Sequence, residues 1–184
     1  MRDFIDRMLV ARAFAGTLIA SIALATVACS DDPPAAARSG GIDLASVRAC
    51  ELLGASEIEA ATGIAVAPGE DVSQAAGRLP MCNWHRAGSD TDVVLSLLVT
   101  HASYANFDAF IASARESAFG DTLGDADVEE VAGVGRFGVW MPEAMMLQAY
   151  GDGAMVQTQV KTAAGRDTLE AAKTLAGAAL ANLR

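Results

Sequence analysis

A leader with an uncharged core, which ends at a cysteine, decides where this chain folds. Arg2, Arg7 and Arg12 make its start positive, and the 16 residues from Ala13 to Ala28 carry no charge. This run is shorter than the roughly 20 apolar residues of a membrane-spanning helix, and it suits the apolar core of a secretory signal peptide. The sequence therefore predicts that the chain is exported and folds outside the cytoplasm.

The residues that end the leader, Thr26-Val27-Ala28-Cys29, resemble the lipobox of bacterial lipoproteins. The resemblance implies a signal peptide over residues 1–28, a diacylglyceryl group on the Cys29 sulfur, and often an acyl chain such as palmitate on the new amine. Because two acyl chains hold a protein stably at a bilayer, we expect anchoring to the outer face of the cell membrane or to an outer membrane. Residues 29–42 would then be the lipidated cysteine and a flexible spacer. An ordinary signal peptide and an uncleaved anchor are the alternatives.

The composition indicates an acidic, folded domain that does not bind nucleic acid. The chain has 13 Lys and Arg against 23 Asp and Glu, a net charge of −10, and 52% of its residues are hydrophobic. Nucleic-acid binding needs a basic surface, and disordered chains have low hydrophobicity. Residues 43–184 have the length of one extracytoplasmic domain.

Two cysteines remain once Cys29 is assigned to the lipid. Cys50 and Cys82 are an even pair in an exported chain, which favours a disulfide. A metal-binding pair and a redox couple are the alternatives, although the spacing is far from the short Cys-x-x-Cys of such sites.

Hydrophobic periodicity and turn residues predict an α+β fold. Gly54, Tyr104 and Asp167 begin three predicted helices, and Gly151-Asp152-Gly153 predicts a hairpin turn. Because hairpin-linked strands form antiparallel sheets, we expect a single layered domain, an antiparallel sheet of about five to seven strands with helices packed against it. One sheet face should be core and the other half covered. Strands are predicted over 64–67, 79–87, 92–102, 128–131, 136–141, 144–150 and 154–161.

Three short motifs follow the lipobox in a fixed order: Cys50-Glu51-Leu52-Leu53, Cys82-Asn83-Trp84 and Gly133-Val134-Gly135. In this order they resemble an uncharacterised lipoprotein domain family that is common in actinobacteria. The resemblance covers residues 48–184. It implies one extracytoplasmic domain in which Cys50 and Cys82 form a disulfide with Trp84 packed beside it, and it implies no reaction.

The sequence offers little catalytic or metal chemistry. His85 and His101 lie on neighbouring predicted strands and could face each other, but no nucleophile or metalloprotease motif accompanies them. A cluster of methionines could bind Cu(I), and an acidic loop over 120–127 could bind calcium, although its spacing fits no known calcium loop. We therefore expect no enzyme and no cofactor. The methionines in question are Met81, Met141, Met145, Met146 and Met155.

The function expected from these features is that of a membrane-anchored, non-catalytic binding or interaction module of the cell envelope. Its partner would be a small apolar ligand or another envelope protein. A structural or accessory subunit of an envelope complex is the alternative, and a metal-binding or hydrolytic protein is a distant one. A deep pocket would favour the binding module, and a flat exposed patch the accessory subunit.

Overall fold

The computed structural model describes residues 42–74, 79–116 and 128–183, so the predicted signal peptide and Cys29 lie outside the described residues. The described chain forms one antiparallel sheet of seven strands with three helices packed against it, which confirms the predicted α+β class. The helices are α1 (Ala55–Thr62), α2 (Phe107–Glu116) and α3 (Thr168–Asn182). The strands are β1 (Glu70–Asp71), β2 (Met81–His85), β3 (Val93–His101), β4 (Glu129–Val131), β5 (Phe137–Met141), β6 (Met146–Tyr150) and β7 (Ala154–Val160).

The strand order across the sheet is β1-β2-β3-β7-β6-β5-β4. Strands β4 to β7 form a meander, and β7 then pairs with the long β3 at the centre. Both edge strands are short and acidic, with Glu70–Asp71 on one side and Glu129 and Glu130 on the other. Short charged edges discourage pairing with another sheet edge.

The first face of the sheet packs against α1 and α3 and holds the main core. Five residues of α3 are buried, and three of them, Ala172, Ala176 and Ala179, have no exposed surface. The hydrophobic periodicity of this helix predicts a buried stripe of Leu169, Ala172, Ala176, Leu180 and Leu183. This prediction was only partly right, because the three leucines are half-buried at the margins of the contact. Alanine lets the helix backbone approach the sheet closely, so the small residues face the sheet and these leucines lie beside the contact. The main sheet residues of this core are Cys82, Trp84, Leu95, Leu97, Leu147, Ala149, Val156 and Val160.

The second face is half covered, as predicted. A smaller cluster forms where α2 and the residues before it pack on the Phe137 side of the sheet. Phe137 stacks on Tyr150 with ring centroids 4.3 Å apart, and Tyr104 meets Tyr150 edge-on at 6.0 Å. Within the described chain, none of the ten residues of α2 is fully buried. The helix therefore lies over one half of this face and leaves the other half open.

Several predicted boundaries were wrong. The strand expected over 64–67 is a single bridge between Val66 and Arg86. Helix α2 begins at Phe107 rather than Tyr104. The strand expected over 144–150 begins only at Met146, because Ala144 ends a 3-10 turn, Pro142–Ala144, and Met145 follows it. Proline has no N–H for a sheet ladder, which explains the turn.

The predicted disulfide between Cys50 and Cys82 is present, with an S–S distance of 2.02 Å. Cys82 is fully buried, and Trp84 is 1% exposed. Both pack against Gly69, where an added Cβ would lie 2.6 Å from the Cys82 sulfur and 2.9 Å from the Trp84 ring. The bridge thus fastens the segment before α1 to the first face of the sheet. In the described residues no helix has both the length and the apolar content to cross a membrane.

Candidate functional site

The uncovered part of the second sheet face in the described chain, which we call the open half, is the candidate binding surface. Its side chains alternate with the buried residues of β2, β3, β7, β6 and β5, and the strand register aligns them in two neighbouring rows. All are at least partly exposed and none is charged. The first row is Asn83, Ser96, Gln159, Met146 and Met141, and the second is Met81, Leu98, Gln157 and Gln148.

The polar groups of the open half are largely paired with one another. Ser96 donates to the Asn83 amide oxygen at 2.7 Å, and Gln148 donates to the Gln157 amide oxygen at 3.2 Å. The Tyr150 hydroxyl, under the α2 cluster, donates to Gln148 at 2.8 Å. Burial of Tyr150, reinforced by nearby Tyr104, raises the pKa of its phenol, so it stays a neutral donor. These bonds hold the amides in place and give the open half a fixed, uncharged surface.

A groove of about 310 Å³ lies at one end of the open half. It runs between the turn that precedes β3 and the turn that precedes β6, over the backbone of β3 and β7. Its apolar lining includes Val93 and Met145, and its polar lining includes Thr91, Ser96, Gln159 and Lys161.

Met145 stands out at the margin of this groove. Its φ of 49° lies in the left-handed region. Among the described residues, Met145 is the only non-glycine residue with a positive φ. It is also 40% exposed, which is high for a large hydrophobic side chain. A strained backbone that presents an apolar side chain beside a groove is a feature found at binding sites more often than elsewhere.

Three charged side chains meet at the Lys161 end of the groove. Asp92 accepts from Arg86 Nε at 2.6 Å and from Lys161 Nζ at 3.0 Å. Arg86, and then Lys161, hold the pKa of the Asp92 carboxyl below its usual range through these hydrogen bonds. Two cations thus share one carboxylate, and this charge cluster carries one excess positive charge on a chain of net charge −10.

The two histidines are not brought together, contrary to the expectation that they could face each other. His85 pairs with Val93 at one end of β3, and His101 pairs with Ala154 at the other end. These ends are eight positions apart along β3, a distance of roughly 26 Å. His85 instead contacts the Glu70 carboxylate through Nε2 at 3.2 Å, and its buried Nδ1 has no partner in the described residues.

The methionines are dispersed rather than clustered. Met141 and Met146 are cross-strand partners on the open half, whereas Met155 lies in the α2 cluster and Met81 on β2. The acidic loop over 120–127 lies outside the described residues. Among the residues that are described, no three His, Cys, Asp or Glu side chains are grouped closely enough to hold a metal ion.

Sequence reasoning missed the groove and its charge cluster. Arg86 and Asp92 lie at the facing ends of the strands predicted over 79–87 and 92–102, so a hairpin between these strands could have paired them. Lys161 is 69 residues away from Asp92 along the chain, and only the pairing of β3 with β7 brings it to them.

Comparisons with known proteins find no relative of this chain. The chain matches no family model, no curated protein and no solved structure. The resemblance to the actinobacterial lipoprotein family stays a prediction from its short motifs.

Proposed function

We propose that this protein is a non-catalytic binding module of the cell envelope, anchored through lipid on Cys29, that holds a small, largely apolar ligand. The observation that carries the proposal is the groove at the end of the open half. Its volume of about 310 Å³ lies at the lower end of the range typical of small-molecule sites, and such sites combine apolar walls with a few polar groups.

The corner around Ile42 lies away from the groove. Ile42, the first described residue, packs against the core on the helical side of the sheet, near Leu52 and the end of α3. Asn182 of α3 donates to the Leu52 carbonyl oxygen at 2.9 Å and holds this corner together. This corner lies on the side of the sheet opposite the open half.

Native mass spectrometry of the full chain, purified from its own membranes, tests the proposal. We expect a bound small molecule that is lost when Gln159→Trp fills the groove with an indole ring. Gln159 is exposed on β7, so the substitution does not disturb the core. Thr174→Trp on the exposed side of α3 is the matched control and keeps the bound mass. A chain without any bound mass, or a mass that Gln159→Trp retains, would contradict the proposal.

A second candidate, an accessory subunit that docks on an envelope partner, is favoured by the apolar side chains of the open half. Met81 and Leu98 are half-buried neighbours across β2 and β3 and offer apolar contact area. A photo-crosslinking residue at Leu98 distinguishes the two candidates in intact cells. A docked subunit gives one discrete adduct at position 98 and none at position 174, whereas a small-ligand module gives no discrete adduct at either position.

A further inference from the structure

The charge cluster makes one end of the groove attractive to an anion. Lys161 is half exposed, and Asp92 is 34% exposed at its side chain. The contact with Asp92 uses one of the three N–H groups of the Lys161 ammonium, so the others can reach a ligand. Because Arg86 also contacts Asp92, the carboxylate neutralises only one of the two cations.

The groove also offers neutral donors beside this charge. Thr91 brings an exposed hydroxyl to the wall of the groove. Gln159 uses one amide hydrogen for the Ala144 carbonyl oxygen at 3.0 Å, which fixes the amide and leaves its second hydrogen. An anion next to Lys161 would thus meet oriented donors. Ser96, in contrast, has its hydroxyl proton directed to Asn83.

The remainder of the groove suits an apolar chain rather than a second charge. Val93 and Met145 form its apolar lining, and neither Asp90 nor Glu143 is among the lining residues. Methionine is flexible and polarisable, so an exposed methionine adapts to apolar ligands of different shape. The open half, which is uncharged, continues from this end of the groove.

We propose that the groove binds a small organic carboxylate with a short apolar chain, its head beside Lys161 and its chain against Met145. A singly charged head balances the one excess positive charge of the cluster. The inference rests on the proposed function and deepens it, because it names the chemical class of the ligand. Lys161 is a binding residue in this proposal, and Asp92 weakens binding because it competes for the same ammonium.

Methionine methyl NMR of the full chain in a nonionic detergent tests the proposal with hexanoate as the probe. The Met145 methyl reports on the groove, and the Met155 methyl, buried under α2, reports on the fold. Hexanoate shifts the Met145 signal saturably and leaves the Met155 signal in place. Hexanol, which has the same chain without a charge, and hexylammonium, which has the opposite charge, bind more weakly by roughly fivefold or more.

Three variants complete the test. Lys161→Gln raises the Kd for hexanoate roughly fivefold, and Asp92→Asn lowers it, which a purely structural role of Asp92 would not produce. Lys173→Gln is the matched control, because Lys173 contacts Glu170 on α3 at 2.8 Å, away from the groove. Equal Kd values for hexanoate and hexanol, or an unchanged Kd in Lys161→Gln, overturn the inference and leave the proposed function standing. The absence of any saturable shift with all three probes overturns the inference, and the proposed function then depends on the native mass measurement alone.

Discussion

The two faces of the sheet carry helices of opposite character. Helix α3 buries five of its 15 residues against the first face, whereas α2, the helix on the second face, buries none of its ten completely. The first face has a continuous core that includes the buried alanines of α3, and the disulfide between Cys50 and Cys82 attaches the segment before α1 to it. The second face has a small aromatic cluster and an open half. The difference indicates that the first face supplies most of the stability, while part of the second face stays uncovered by the described residues.

This division follows from how apolar burial stabilises a fold. Each fully buried large side chain contributes about 1.5–3 kcal/mol relative to an exposed one, and the fully buried large side chains are concentrated on the first face. Elements with few buried contacts open locally at lower cost. Changes on the first face should therefore affect the free energy of unfolding, and changes on the second face should affect binding.

The largest expected effect comes from removal of the disulfide. The bridge spans 32 residues of sequence, and chain-entropy arithmetic for a loop of that length gives roughly 3–4 kcal/mol. We expect the double variant Cys50→Ala with Cys82→Ala to lose about this much free energy of unfolding in a denaturant titration. A loss below about 1 kcal/mol would show that the first face is not fastened by the bridge.

The same alanine-to-leucine substitution on each helix compares how tightly α3 and α2 are packed. Ala176→Leu on α3 inserts atoms into a fully packed contact and should cost about 1–3 kcal/mol. Ala112→Leu on α2 makes the same change at an exposed position and should stay within about 0.5 kcal/mol. Thermal unfolding of both variants measures the comparison, and equal losses would contradict it.

Part of the fold could be predicted from local sequence signals. The helix start at Gly54, the strand that holds Cys82 and Trp84, and the turn over 151–153 depend on neighbours in sequence, and the structure contains all of them. The rotation of α3 was predicted only partly, because alanines and leucines alternate around the helix and the close approach to the sheet decides which of them is buried.

The groove could not be predicted for a different reason. It needs an extra residue in β3, opposite the step from Trp84 to His85 on β2, where the register shifts. It also needs the pairing of β3 with β7. A shift of one residue changes the face to which side chains point. Such irregularities depend on tertiary packing, and neither Met145 nor Lys161 carries a local signal for them.

Removal of a buried hydroxyl should have a smaller effect, and it should raise the free energy of unfolding instead of lowering it. Thr158 lies on the first face without exposed surface, and its hydroxyl oxygen has no hydrogen-bond partner among the described residues. Thr158→Val replaces it by a methyl group of similar shape and should stabilise the protein by about 1 kcal/mol. Gln157→Val, at the preceding residue, loses the hydrogen bond with Gln148 on the open half and should not stabilise the protein. Chemical denaturation of both variants measures the difference, and a Thr158→Val protein less stable than the parent would count against a dry first face.

The smallest effect is a pH dependence from the charge cluster. The pKa of Asp92 lies below its usual value because Arg86 and Lys161 donate to the carboxylate. Its contribution to stability is therefore complete above the pKa of the unfolded chain, near 4, and is lost as the pH falls through the lower folded pKa. Asp92→Asn should flatten the stability curve slightly below about pH 4, and an identical curve would show that the cluster contributes nothing.

The exposure of the methionine methyl groups to a soluble paramagnetic agent tests the central claim most directly, since the methionines sample both halves of the second face. In the full chain we predict strong broadening of the Met145 signal, intermediate broadening for Met81, Met141 and Met146, and protection of Met155, which is 9% exposed beneath α2. Protection of Met145 together with broadening of Met155 would contradict the account, because the second face would then be open where the structure covers it and covered at the groove.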